Sequence, residues 1–210
     1  MRITAIIPAY NEESRIEKVI VPILETDIVS NIIVVDDGSQ DLTSDIVSNY
    51  NVELVKMPQN KGKAEAIREG IKHCKDKSDI IILLDADLVG LTSDHVRALV
   101  LPIFEKNADM TIGIFKSGRH ITDLAQSIAP NLSGQRAIKP DIANKIIDMD
   151  VEGYGIETAL FQLIKKYGLK VENVILENVT HVIKEEKVGL IRGISWRLQM
   201  YKDIVKYLMH

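Results

Sequence analysis

The chain has 210 residues, enough for one sizeable core with a subsidiary lobe. Apolar residues make up 46% and charged residues 27%, an ordinary soluble balance, and a net charge of −4 without any basic tract argues against nucleic acid as a partner. Cys74 is the one cysteine, so no internal disulfide can form. The first apolar run is too short for a signal peptide and no window has the apolar length of a membrane span, so the expectation is a cytoplasmic protein.

Ile3 to Ile7 reads as a short apolar strand, followed by Pro8-Ala9-Tyr10-Asn11-Glu12-Glu13. Asn11 suits an N-cap and Glu12 and Glu13 suit a first helical turn, after which Ile16, Val19, Ile20, Ile23 and Leu24 recur at helical spacing. A second strand, Ile32 to Val35, ends in Asp36-Asp37-Gly38-Ser39, and the polar stretch to Thr43 leads into a second helix. A weaker third strand spans about Val52 to Lys56, and Lys61-Gly62-Lys63 precedes a helical pattern with Ala64, Ile67 and Ile71. The most apolar stretch follows: Ile80 to Leu84 with no polar residue, closing on Asp85-Ala86-Asp87.

Such a run suits a strand buried on both faces of a parallel sheet, and ligands of open α/β sheets bind beyond the carboxyl ends of the strands. Two carboxylates spaced i, i+2 repel, and a cation between them removes that cost; all-oxygen ligation suits Mg²⁺ or Mn²⁺ with substrate phosphates completing the shell. The plainer reading is a pair of caps or loop acids facing water. Strand and helix alternate with short connections, so the pattern predicts βαβ units whose strand ends place Tyr10, Glu12, Asp36, Asp37, Asp85 and Asp87 on one rim. Neither the glycine-rich dinucleotide fingerprint nor the phosphate-cradling P-loop is present, so a bound phosphate needs another counter-charge, which a metal and Lys63 supply.

In the second half, Ala108 to Phe115 is a further strand, and the polar segment to His120, with Lys116 and Arg119, suits a loop that meets an anion. A helical pattern with Leu124 and Ile128 follows, then Pro130 to Ala137. Gly153-Tyr154-Gly155-Ile156-Glu157 introduces a helix with Leu160, Phe161 and Ile164 on one face, and a strand from Leu169 to Glu177 leads to His181. The last helix carries Ile191, Ile194, Leu198, Tyr201, Val205 and Leu208 at spacings of three and four, a stripe that suits core packing, a homodimer seam or a membrane surface.

Ile-Ile-Pro-Ala-Tyr-Asn-Glu-Glu (6–13), Val-Val-Asp-Asp-Gly-Ser (34–39), Asn-Lys-Gly-Lys (60–63) and Leu-Asp-Ala-Asp (84–87) together resemble the family 2 glycosyltransferases of GT-A fold, in the family's order. The resemblance implies an α/β, Rossmann-like, mostly parallel sheet flanked by helices, in a single domain over 1–210. A nucleotide-sugar-binding half covers 1–115, and a smaller acceptor-binding half with the last helix covers 116–210. It implies that Pro8, Ala9, Tyr10, Glu12 and Asp37 hold the nucleoside of a UDP- or GDP-linked hexose, with Lys63 near its diphosphate. Asp87 becomes the main ligand of Mg²⁺ or Mn²⁺, and Asp85 and Ala86 lie closer to the ribose or sugar.

Gly-Lys-Ala-Glu-Ala (62–66), Thr-Asp-Leu (122–124), Leu-Ser-Gly (132–134) and Gly-Tyr-Gly-Ile-Glu (153–157) look like a narrower subgroup, the glucosyl-3-phosphoglycerate synthases and their relatives. That likeness implies His181 as a further metal ligand, Leu132, Ser133 and Gly134 beside sugar and acceptor, and Glu157 on the donor sugar's hydroxyls. Arg119 and Thr122 then face an acceptor phosphate. Val179 stands where the subgroup pattern has an arginine, which bears on the acceptor more than on the donor.

Each residue also has a plainer role. His181 can be a structural histidine, Glu157 a first-turn acid, Lys63 a solvated lysine, and Arg119 a loop arginine for which Arg136 is an equal substitute as anion ligand. The reading is a metal-dependent transferase moving a hexose, glucose foremost, from a nucleoside diphosphate sugar to an acceptor hydroxyl with retention, 3-phosphoglycerate being the acceptor indicated. A polyprenyl-phosphate or polysaccharide glycosyltransferase, whose acceptor is a lipid phosphate or a glycan, and a non-catalytic nucleotide-sugar-binding protein are the rivals.

Overall fold

The computed structural model describes residues 1–74, 76–116, 133–149 and 155–181. The chain parts into Met1–Thr180 and His181–His210, and the sheet and helices named next belong to the first, with His181 alone from the second. Arg119, Thr122, Leu132 and the apolar stripe of the last helix lie outside the described residues.

Strands β1 (Ile3–Ala9), β2 (Asn31–Asp36), β3 (Glu53–Lys56) and β4 (Ile80–Leu83) are joined through helices α1 (Ile16–Leu24), α2 (Thr43–Val47) and α3 (Lys63–Cys74). After β4 come β5 (Leu88–Val89), α4 (Ser93–Phe104), β6 (Met110–Lys116), β7 (Arg136–Ile138), α5 (Pro140–Ile147), α6 (Gly155–Tyr167), β8 (Val171–Glu177) and β9 (Thr180–His181). The main sheet has seven strands in the order β3-β2-β1-β4-β7-β6-β8. Pairing is parallel throughout except at β7, which runs antiparallel to both β4 and β6. This is the mostly parallel α/β sheet that the alternation implied.

Period-two alternation splits the apolar strands between two layers. Ile3, Ala5 and Ile7 of β1 and Ile80 and Ile82 of β4 face a cluster built with Ile16, Val19, Ile20 and Ile23 of α1 and with α4. Ile6, Ile81 and Leu83 face the opposite cluster, which α3, α5 and α6 cover through side chains such as Ile67, Ile142 and Leu160. Gly70 lets α3 lie close to the sheet, since a Cβ there would stand 2.5 Å from the Ile6 side chain. Pro8 is tolerated in a central strand because β4 pairs β1 only from Ile3 to Ile6, so no ladder bond on that side needs its missing N–H.

The start of α1 departs from the sequence reading. The helix begins at Ile16 with Arg15 as its cap, and Asn11 adopts a φ of 55° instead of capping it. Its Oδ1 accepts from Gln40 N (2.8 Å) and its own N–H donates to Ser39 Oγ (2.9 Å). A short polar side chain that bonds locally stabilises the left-handed conformation, and this ties the β1 turn to the β2 turn at the rim.

Asp109 fastens the far end of the sheet. Its carboxylate accepts from Lys139 Nζ (2.6 Å) and Lys170 N (2.9 Å), joining the starts of β6, α5 and β8. The Lys139 hydrogen bond, with the Lys170 amide, holds the Asp109 carboxyl below its ordinary range. A depressed folded value gives stability that is present above the unfolded pKa of about 4 and lost as pH falls through the folded one. Asp109→Asn is expected to melt about 3 °C below the parent at neutral pH, with the gap closing on acidification below about pH 4. Melting curves across the acid range check this, and a gap of constant size contradicts it.

Candidate active site

The parallel strands β1, β2 and β4 end on one rim, and each end turns polar. At β1, Ala9 is buried and Tyr10 is 42% exposed. Glu12 is nearly buried, its N–H donating to Thr43 Oγ1 (2.8 Å) and its carboxylate paired with Arg15 (3.1 Å). At β2 the two adjacent aspartates act as staples. Asp36 accepts from Ser39 N (2.8 Å) and from the Ser44 hydroxyl. Asp37 is 3% exposed and accepts from Lys61 N and Gly62 N, both at 2.8 Å, pinning the loop that presents Lys63. Each of its oxygens retains capacity for a second donor.

Lys63 opens α3, and its ammonium is the hub of the rim. It lies 2.7 Å from Asp85 Oδ1, beyond β4, and 2.8 Å from Glu157 Oε1, in the first turn of α6. Burial works against this ammonium, but Asp85 and then Glu157 outweigh that cost and hold it above the ordinary lysine range. The second oxygen of Asp85 accepts from Gln135 Nε2 (2.9 Å), while the Asp85 N–H donates to Gln135 Oε1 (3.0 Å). Glu157 is buried, and its Oε2 has no hydrogen-bond partner among the described residues. Lys63, Gly134, Arg136 and Glu157 line one narrow crevice with Ile67, Leu83, Ile156 and Leu160, so these charges meet against an apolar wall.

Gly134 roofs the hub. A Cβ there would stand 2.6 Å from Lys63 Nζ and 2.7 Å from Asp85 Oδ2, so only glycine leaves the pair undisturbed. Ser133 beside it is buried, and its Oγ accepts from Gln135 N (3.2 Å).

Of the two acids after β4, Asp85 is paired with Lys63 and Gln135, and Asp87 lies half-buried in the turn after Ala86. Among the described residues no cluster of three His, Cys, Asp or Glu side chains could hold a metal unaided. A single carboxylate with substrate phosphate oxygens completing the shell is a common arrangement for Mg²⁺, and the oxygen donor of Asp87 fits it. His181 ends β9 as the last described residue, and its side chain lies outside the description. Gln135 escaped the sequence reading, its signal being its place next to Ser133-Gly134, and Arg136, read as a substitute for Arg119 on an anion, is instead fully buried.

Residues 4–149 match the model of glycosyl transferase family 2. The chain belongs to that family. It is 30% identical over 97% of its length to an uncharacterised protein of Methanocaldococcus jannaschii, 98% of which is covered. It is 38% identical over 98 residues to a dolichyl-phosphate beta-glucosyltransferase of Trichomonas vaginalis, a stretch covering 40% of this chain and 28% of that one. Among solved structures it is similar to glucosyl-3-phosphoglycerate synthase of Mycobacterium tuberculosis in complex with Mn²⁺, UDP-glucose and phosphoglyceric acid. There the TM-score is 0.72 at 26% identity, covering 86% of this chain and 71% of that one. The protein is thus a glycosyltransferase of GT-A fold, a nucleotide-sugar-binding enzyme whose family includes members solved with divalent metal. No helix among the described residues is long and apolar enough to cross a membrane.

Gly134→Ala separates the expected losses. The added methyl meets the mobile ends of two side chains, so the fold survives with a Tm lower by about 3 °C, while the Lys63–Asp85 pair is forced apart. Nucleotide-sugar binding is expected to fall by at least about tenfold, as when a buried charge pair is disturbed. Calorimetric titration beside thermal melting checks this, and binding that stays at the parental level contradicts it.

Proposed function

We propose that this chain transfers a hexose, glucose foremost, from a UDP- or GDP-linked sugar to an acceptor hydroxyl with retention at the anomeric carbon, and that 3-phosphoglycerate or a similarly small phosphorylated acid is the acceptor. The observation that carries this reading is the Lys63 ammonium poised at the strand rim between Asp85 and Glu157, under Gly134, with Asp87 two residues beyond Asp85 in the chain. The likeness to a synthase solved with UDP-glucose, Mn²⁺ and phosphoglyceric acid supports the same reading.

In the reaction the bond from the anomeric carbon to the diphosphate breaks, the acceptor oxygen bonds to that carbon on the same face, and the acceptor's proton leaves with the diphosphate. Pro8, Ala9, Tyr10, Glu12 and Asp37 border the nucleoside, and Asp85 and Ala86 the ribose and sugar. Lys63 turns its ammonium to the diphosphate, and Glu157 accepts from the hexose hydroxyls, a task for which its unpartnered Oε2 is suited. Leu132, Ser133 and Gly134 flank the sugar and the acceptor, whose phosphate meets Arg119 and Thr122. Asp87, with His181, would hold a Mg²⁺ or Mn²⁺ ion that neutralises charge on the departing diphosphate.

The likeness to a dolichyl-phosphate beta-glucosyltransferase favours a second reading, with a polyprenyl phosphate as acceptor. Release of free nucleotide from UDP-glucose and GDP-glucose, with 3-phosphoglycerate, glycerate or a polyprenyl phosphate added, separates the two. The expected result is metal-dependent release stimulated by 3-phosphoglycerate, abolished by chelation, and lowered more than about 100-fold by Asp87→Asn. Turnover only with the lipid phosphate assigns the second reading, and undiminished turnover after chelation contradicts the metal's role.

A further inference from the structure

Arg136 is the largest fully buried side chain among the described residues, an unusual place for a group that is always charged. It sits on the antiparallel strand β7, with its backbone in register between Leu83 of β4 and Ile112 of β6. Its Nε donates to the Ser133 carbonyl (2.9 Å), the residue before Gly134, and its Nη1 contacts Met110 Sδ (3.2 Å). It borders the same crevice as Glu157, Lys63 and Gly134. Burial pushes the guanidinium down to about 10, while the negative charge of Glu157 acts to keep it ionised.

We propose that Arg136 is the fixed counter-charge of Glu157, a positioning residue that lets Lys63 leave its two carboxylates for the diphosphate of the donor. This rests on the function proposed above. Two acids face two cations here: Asp85 and Glu157 both pair with Lys63, and Arg136 borders the same crevice as Glu157 and Lys63. The two cations differ in freedom. Arg136 is closed in by strand backbone on both sides and by Ser133 and Met110. Lys63 stands at a helix start on a long stem, its side chain a third exposed. An arriving anion can therefore draw Lys63 away, and Glu157 is not then left as a buried charge without compensation. Through Ser133, the same guanidinium holds the Gly134 roof at the distance Lys63 needs. Remove Arg136, and Glu157 tightens on Lys63 and competes with the diphosphate for it.

Melting temperatures of the parent, Arg136→Met, Glu157→Gln and the double variant test the pairing. Glu157→Gln is expected to restore about half of the Tm lost in Arg136→Met, because it removes the charge left unbalanced. Losses that simply add overturn the proposal. Arg136→Lys, which keeps charge without the planar fork, is expected to lose less, and its own cycle with Glu157→Gln decides the matter should Arg136→Met not fold. Binding of UDP and of uridine, each with magnesium, tests the exchange. In Arg136→Met the UDP affinity is expected to fall at least about tenfold with uridine unchanged, whereas a generally loosened site weakens both equally and overturns the proposal. A parent protein that binds neither UDP nor GDP overturns the proposed function instead, and the thermal cycle still decides whether Arg136 balances Glu157.

Discussion

The rim is organised by one ammonium shared between two carboxylates from distant parts of the chain. Lys63 meets Glu157, 94 residues away, and also Asp85 at the end of β4. Neither acid could be shut away from water without a cation beside it, because an isolated buried charge costs several kcal/mol or neutralises itself. The contact therefore dictates where α3 and α6 begin, since both helices must bring their first turn to the carboxyl end of the same strand. A buried ion pair adds little net stability over an apolar replacement, so its worth lies elsewhere. Here it keeps a partly exposed positive charge at the carboxyl end of the sheet, where the proposed function places the donor's diphosphate.

Acids at neighbouring strand ends do different work according to their surroundings. Asp36 and Asp37 accept hydrogen bonds from backbone amides and a serine hydroxyl, and so build the turns that frame the rim. Asp85 is consumed by Lys63 and by the two-way bond with Gln135. Asp87 sits two residues further on, half-buried in the turn. The Asp-x-Asp pair therefore divides its labour: one acid orients an ammonium and a glutamine, and the other is suited to a hard cation with phosphate oxygens around it.

Much of this was legible in the chain itself. The runs Ile3–Ile7, Ile32–Val35 and Ile80–Leu84 announced β1, β2 and β4, because strands buried on both faces need no alternation, and α/β connectivity then placed their polar ends together. The three-residue strand β7 carried no such signal. It is too short for periodicity, it opens with an arginine, and its burial depends on β4 and β6, to which it is joined only in space. The Gln135–Asp85 bond was hidden for the same reason, its partners being 50 residues apart. The start of α1 was misread at Asn11 because the residue types that cap helices also favour left-handed turns. Local chemistry allowed both, and the β2 turn decided between them.

The central claim is that Lys63 exchanges Asp85 and Glu157 for a donor diphosphate while Asp87 takes the accompanying ion. A crystal structure of the protein soaked with Mn²⁺ and UDP-glucose, with the anomalous signal of manganese recorded, tests this most directly. The account predicts the manganese peak on Asp87 and the Lys63 ammonium drawn from its carboxylates to a phosphate oxygen. Lys63 still bridging Asp85 and Glu157, with the nucleotide sugar bound and the manganese peak elsewhere, would contradict it.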